Sequence, residues 1–126
     1  MDGSAYRVPV RDADRIRAGL VVQLVALATG WPPETILDIR RRDAEISRAR
    51  RTAMYLTHVA YGWTLERVGH AFGRNRVTVG AACQRVEDER DAPEIDARLE
   101  QLTDLLATAL ATAGRGAGEG AGEGGA

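Results

Sequence analysis

Six of the twelve residues from Arg40 to Arg51 are arginines (40, 41, 42, 48, 50 and 51), opposed only by Asp43 and Glu45. Planar guanidinium groups at this density suit recognition of phosphate or of a guanine edge. A solvated charged loop would present the same residues. A second feature lies downstream, where Arg74-Asn75-Arg76-Val77-Thr78 follows Gly73 at a point where a helix can begin. Helix starts offer backbone N–H donors to anions. Other chemistry has less to work with. His58 and His70 have no carboxylate at a diagnostic spacing, and Cys83 falls on an apolar stripe as a small core residue. Catalysis, a metal site, a cofactor and a small-molecule substrate are therefore not expected.

Bulk charge gives no hint of an anionic partner. The 17 basic residues, all arginine, face 18 acids for a net charge of −1, so affinity for nucleic acid must come from how charge is distributed. The absence of lysine reads mainly as the mark of a GC-rich genome. With 126 residues the chain has room for one domain of roughly 100. No apolar run approaches the roughly 18 residues of a bilayer span, the acidic start is unlike a signal peptide, and one cysteine excludes an internal disulfide. A cytoplasmic, nucleoid-associated location with no membrane partner is expected.

The elements that would position these residues are all helical. Ile16, Leu20, Leu24 and Leu27, with Val21 and Ala28 beside them, recur at helical spacing from Ala13 to Thr29, with Gly30 as a stop. Pro32 and Pro33 open a short helix over Ile36, Leu37 and Ile39. Ser47 can cap a third helix that begins with Arg48, Arg50 and Arg51, carries Ala49, Ala53, Leu56 and Ala60, and ends at Gly62. Thr64 can cap a fourth, in which Leu65, Val68 and Phe72 face inward, and Gly73 can supply a positive φ at its end. Asn75 can cap a fifth with Val79, Ala82, Cys83 and Val86 buried. Short helix, glycine-containing turn and second helix make a helix-turn-helix. After Ala92-Pro93 a last helix from Glu94 to Ala113 carries Ile95, Leu99, Leu102, Leu106 and Leu110, either closing the core or forming a partner surface. Residues 1–13 and the Gly/Glu-rich residues 114–126 are expected to be flexible segments flanking a domain at 14–113.

Residue by residue, three segments resemble the C-terminal DNA-binding domain, domain IV, of the bacterial replication initiator DnaA. Arg48-Ala49-Arg50-Arg51-Thr52-Ala53-Met54-Tyr55-Leu56 is similar to that family's Arg-Pro-Arg-Gln-x-Ala-Met-x-Leu. Thr64-Leu65-Glu66-Arg67-Val68-Gly69-His70-Ala71-Phe72-Gly73 is similar to Ser-Leu-x-x-Ile-Gly-x-Ala-Phe-Gly. Arg74-Asn75-Arg76-Val77-Thr78-Val79 stands in place of Arg-Asp-His-Thr-Thr-Val. The resemblance covers about residues 14 to 110 and implies an all-α, Trp repressor-like domain that binds double-stranded DNA. It also implies roles: Arg48 in the minor groove, Arg50 and Arg51 on phosphates, Thr64 and Leu65 bracing the motif on the backbone, Arg74 on a phosphate, and Asn75, Arg76, Val77 and Thr78 at the major groove.

The departures from the family pattern concern function. The family's base-reading Asp-His-Thr is replaced by Asn75-Arg76-Val77. Arginine favours guanine, asparagine can pair with adenine and valine can touch a thymine methyl, so a different site is expected. Asn75 has two competing uses, helix cap or base contact. No phosphate-binding loop of the Gly-x-x-x-x-Gly-Lys-Ser/Thr kind is present, so the initiator's ATPase activity is not expected. The resemblance extends to the DnaA-like part of activators of phage-like gene transfer agents, some of which act with a sigma-like protein. A transcriptional regulator, acting with a sigma-like factor or RNA polymerase, is the first expectation. A competitor at DnaA sites is the second, and an adaptor binding protein through Ile95 to Leu110 the third.

Overall fold

The computed structural model describes the backbone of residues 10–125 and the side chains of residues 10–112. Six helices follow in order: α1 (Asp12–Thr29), α2 (Pro33–Leu37), α3 (Ala44–Tyr61), α4 (Leu65–Phe72), α5 (Arg76–Glu89) and α6 (Pro93–Gly125), with no strand among the described residues. Residues 1–9 of the expected N-terminal segment lie outside that range, and α1 begins at Asp12. The backbone of α6 stays helical past the expected end at Ala113, in a stretch without proline to stop it. The expected tail lies beyond the described side chains.

Helix α3 is the centre of the packing. It is flanked by α1 and α5, α4 touches both of these, and α2 and α6 close the remaining sides. Ala49, Ala53, Met54 and Leu56 of α3 meet Val21, Val22 and Val25 of α1, the expected Val79, Ala82, Cys83 and Val86 of α5, and Leu99, Leu102 and Leu106 of α6 in one buried cluster. The stripe on α6 is therefore core. The face from which the adaptor reading took its partner surface is already covered.

Two expectations need correction. The most regular apolar series of α1 faces the core only in part: Leu20 and Leu24 pack against it half-buried, Ile16 and Leu27 are exposed, and the fully buried apolar face is Ala18, Val21, Val22 and Val25. The short valine and alanine side chains fill the contact with α3, Leu20 and Leu24 pack at its margin, and Ile16 and Leu27 are left outside. Helix α3, moreover, starts at Ala44, with the Asp43 carbonyl accepting from the Ser47 N–H at 2.8 Å. Arg48, Arg50 and Arg51 thus stand beyond the first turn, and a clash between cations and the helix start does not arise.

Candidate nucleic-acid interface

The helix-turn-helix is fixed by three local devices. The Thr64 hydroxyl accepts from the Arg67 N–H at 3.1 Å and caps α4. Gly73, at φ 70°, turns the chain out of α4, and the Arg74 N–H returns to the Gly69 carbonyl at 2.9 Å. At Gly69 the turn passes so close that a Cβ would sit 2.3 Å from the Arg74 carbonyl oxygen. The Asn75 side-chain oxygen then accepts from the Thr78 N–H at 2.8 Å and caps α5. That settles how the oxygen of Asn75 is used in this structure: two-pronged pairing with adenine needs both oxygen and nitrogen, and the oxygen holds the helix.

At the tip of α5, Asn75 and Arg76 are exposed and Val77 is 73% exposed, whereas Thr78 is half-buried. Leu65 is half-buried, packed on the core, with its Cδ1 3.3 Å from where a Cβ on Gly80 would stand. Leu65 therefore braces α4 against α5. Among the described residues, Arg42, Arg48, Arg74 and Arg76 form no ion pair within 4.0 Å, although Arg48 lines a groove that also holds Glu45, Glu89 and Glu94.

The two arginines expected on phosphates prove to be largely internal. Arg50 is buried, with its Nε donating to the Ile36 carbonyl at 2.8 Å and its Nη2 to the carbonyls of Asp38 at 2.5 Å and Arg41 at 3.1 Å. Its guanidinium holds the segment from α2 into α3, on which Arg40, Arg41 and Arg42 stand. Arg40 and Arg41 pair locally with Asp38 and Asp43, leaving Arg42 exposed. Arg51 is 17% exposed, 3.7 Å from Glu89, with its Nε buried and lacking an acceptor. Burial holds both guanidiniums below the ordinary arginine value, and nearby cations add to it, Arg74 for Arg50 and Arg85 and Arg48 for Arg51.

A shallow concavity between α3 and α5 gathers Ser47, Arg50, Arg51, Arg74, Thr78 and Arg85. Arg85 is the residue the sequence reading missed. It shares a face of α5 with Thr78 and Ala81 at helical spacing, and that periodicity could have revealed it. Its Nε lies 3.7 Å from Glu89, which thus serves both Arg85 and Arg51. Arg48 does not join this concavity; it lines a groove bounded by α1, α3 and α6.

Ion pairs hold α4 and α5 in position. Asp14 of α1 accepts from Arg67 Nε and Nη2 at 2.9 and 2.8 Å, and Arg67 lies over the Trp63 ring at 4.3 Å. This pairing keeps the Asp14 carboxyl below the usual carboxylate range. At the far end of α5, Tyr55 of α3 donates to Glu87, and Arg90 donates to Tyr55, to Asp96 at 2.7 Å and to Glu100 at 2.8 Å. Elsewhere His58 Nδ1 meets the Trp63 carbonyl at 2.6 Å, and no cluster of metal-ligating residues occurs among the described residues. No helix is long and apolar enough to cross a membrane, again among the described residues.

Two short helices joined by a tight turn, with a cationic concavity and an exposed tip, make a helix-turn-helix. The chain belongs to the family described as the bacterial dnaA protein helix-turn-helix, whose model matches residues 19–86. The matched region is a DNA-binding domain and includes no catalytic domain. Among curated proteins it is similar to the chromosomal replication initiator protein DnaA of Thermodesulfovibrio yellowstonii (strain ATCC 51303 / DSM 11347 / YP87), with 37% identity over 81 residues. That alignment takes in 64% of this chain and 18% of the relative, so the chain spans less than a fifth of the initiator's length. No solved structure matches the chain.

Proposed function

We propose that the chain is a non-enzymatic regulator of transcription that reads a short double-stranded DNA site differing from the site of the initiator. Activation of phage-like or gene transfer agent genes, together with a sigma-like factor or RNA polymerase in the cytoplasm, is the use we assign to it. The supporting observation is the tip of α5. Arg76 is exposed with no acid facing it, and beside it Val77, 73% exposed, has no role in the core. In the major groove Arg76 is suited to guanine O6 and N7 and Val77 to a thymine methyl, while Arg74, Arg85 and the partly buried Arg51 supply phosphate contacts from the concavity. Arg42, exposed and in no ion pair on the α3 side, extends the positive surface. Competition at the initiator's own sites fits less well, because a competitor would keep the initiator's base-reading residues.

Selection of binding sites from randomised duplexes tests this, with wild type beside Arg76→Ala and Val77→Ala. The expected result is one enriched motif containing a guanine, with the preference for that guanine relaxed in Arg76→Ala at a cost of about 1–3 kcal/mol. Absence of any enriched motif would refute sequence reading. Enrichment of the initiator's own site would favour the competitor.

A further inference from the structure

Glu89 is the last residue of α5, an unfavourable place for an acid. The C-terminal end of a helix carries partial negative charge, Glu87 and Asp88 already stand in the same turn, and no basic residue does. Its pairing along the helix is no better placed, because an arginine four residues before a glutamate is the weaker order of the two. Helix stability therefore does not account for a carboxylate here.

Its surroundings do. A single carboxylate oxygen, Oε2, lies 3.7 Å from Arg51 Nη2 of α3 and 3.7 Å from Arg85 Nε of α5. Arg85 and Arg48 both repel the Arg51 guanidinium, and Glu89 is the acid that offsets them. Both distances exceed a hydrogen bond, so the carboxylate balances two guanidiniums without being locked to either. Asp14, by contrast, takes two N–H groups of Arg67 at 2.9 and 2.8 Å. Arg51 also keeps a buried Nε without an acceptor. One anionic oxygen shared by two guanidiniums, with donor capacity to spare, is an arrangement that a phosphate can satisfy more fully.

On the reading that the concavity of Arg51, Arg74 and Arg85 meets the DNA backbone, we propose that Glu89 is an internal stand-in for a phosphate: its carboxylate occupies Arg51 and Arg85 in the free protein and gives way when a duplex docks. Displacing it offsets part of what the phosphate contact gains, so affinity is held down. Phosphate contacts carry no sequence information, and the offset is therefore the same on every duplex. Glu89 sets how tightly DNA is held, and site preference is left to the tip of α5.

Fluorescence anisotropy of the full chain tests this, with one labelled duplex enriched by site selection and one of scrambled sequence. Glu89→Gln keeps the side chain's shape and removes a charge that the helix end disfavours, so it should fold as wild type does. It should bind both duplexes tighter by the same factor, roughly 2- to 30-fold, the range of two surface ion pairs. Asp88→Asn removes the neighbouring acid, which pairs with Gln84 rather than with an arginine, and should change affinity less. Arg85→Ala should weaken binding, and in that background Glu89→Gln should gain less, since one of the two cations is gone. With Arg85→Ala weakened, an unchanged affinity in Glu89→Gln would overturn the proposal and leave the reading of the concavity standing. So would a gain no larger than that of Asp88→Asn, or one confined to a single duplex. If Arg85→Ala binds as tightly as wild type, that reading falls and the role of Glu89 with it.

Discussion

Arg50 sits on a face expected to meet DNA, yet its guanidinium is turned inward, and Arg50→Ala distinguishes a positioning residue from a phosphate ligand. Three carbonyls, of Ile36, Asp38 and Arg41, would lose the Arg50 donor, with Asp38 keeping a second one, the Arg41 N–H at 3.0 Å. The bond to Ile36 is fully buried, so that carbonyl is left unsatisfied at about 1–3 kcal/mol; the other two are part-buried and regain water at smaller cost. Loss of the packed side chain adds to this, for a total of about 2–4 kcal/mol. Thermal unfolding reads such a change directly, at about 4–8 °C per kcal/mol for a domain of this size. Arg50→Lys should recover little, because one ammonium cannot reach three carbonyls in a planar fork.

The DNA measurement separates the two roles when read with amide exchange. A side chain that only neutralises one phosphate would, once removed, lower the slope of log affinity against log salt by about 0.9. If Arg50 instead holds the segment that carries Arg42, its loss acts on the slope only through that one displaced cation and is accompanied by a looser segment. Amide exchange at residues 36–42 should speed up in the same variant. Arg50→Ala with wild-type melting, unchanged exchange and a slope loss of about 0.9 would refute the positioning role.

Gly69→Ala should cost about 1–3 kcal/mol, since its Cβ would meet a backbone oxygen at 2.3 Å, whereas Gly19→Ala, with nothing within 4 Å, should be neutral or stabilising by about 0.5–1 kcal/mol; paired denaturant titrations check both. Asn75→Ala removes the α5 cap and should cost about 0.5–2 kcal/mol, while Asn75→Asp keeps the cap and favours the helix dipole; thermal melts that rank the two variants equal would exclude capping. The folded-state pKa of Asp14 is depressed by Arg67, so its contribution to stability is complete above the ordinary carboxylate value and is lost as pH falls through the depressed one. Denaturant midpoints followed from pH 5 downward should therefore decline less steeply in Asp14→Asn than in wild type.

Much of this architecture could be read from local signals. Thr64, Gly73 and Asn75 announce the motif because caps and left-handed turns depend on one or two residues, and all three act as expected. The α5 stripe of Val79, Ala82, Cys83 and Val86 is likewise legible from its period. Two things were not. Periodicity cannot say which of two apolar faces packs inward, and α1 has two. Nor can residue type say whether an arginine serves a ligand or the fold: Arg50 is bonded to carbonyls 9 to 14 positions earlier in the chain, contacts that no local pattern encodes.

The near-neutral total charge gains a meaning from where the charges sit. Arg74 and Arg76 precede or open α5, while Glu87, Asp88, Asp91 and Glu94 lie exposed around its far end and the start of α6. On the proposed reading, a duplex approaching the concavity would be attracted at one end of α5 and repelled at the other, which would favour entry of the tip into the groove. The same acids limit affinity for phosphate in other orientations. A chain whose net charge is −1 gains little from non-specific attraction. On the proposed reading, its discrimination between sites would then rest on the few contacts that Arg76 and Val77 can make.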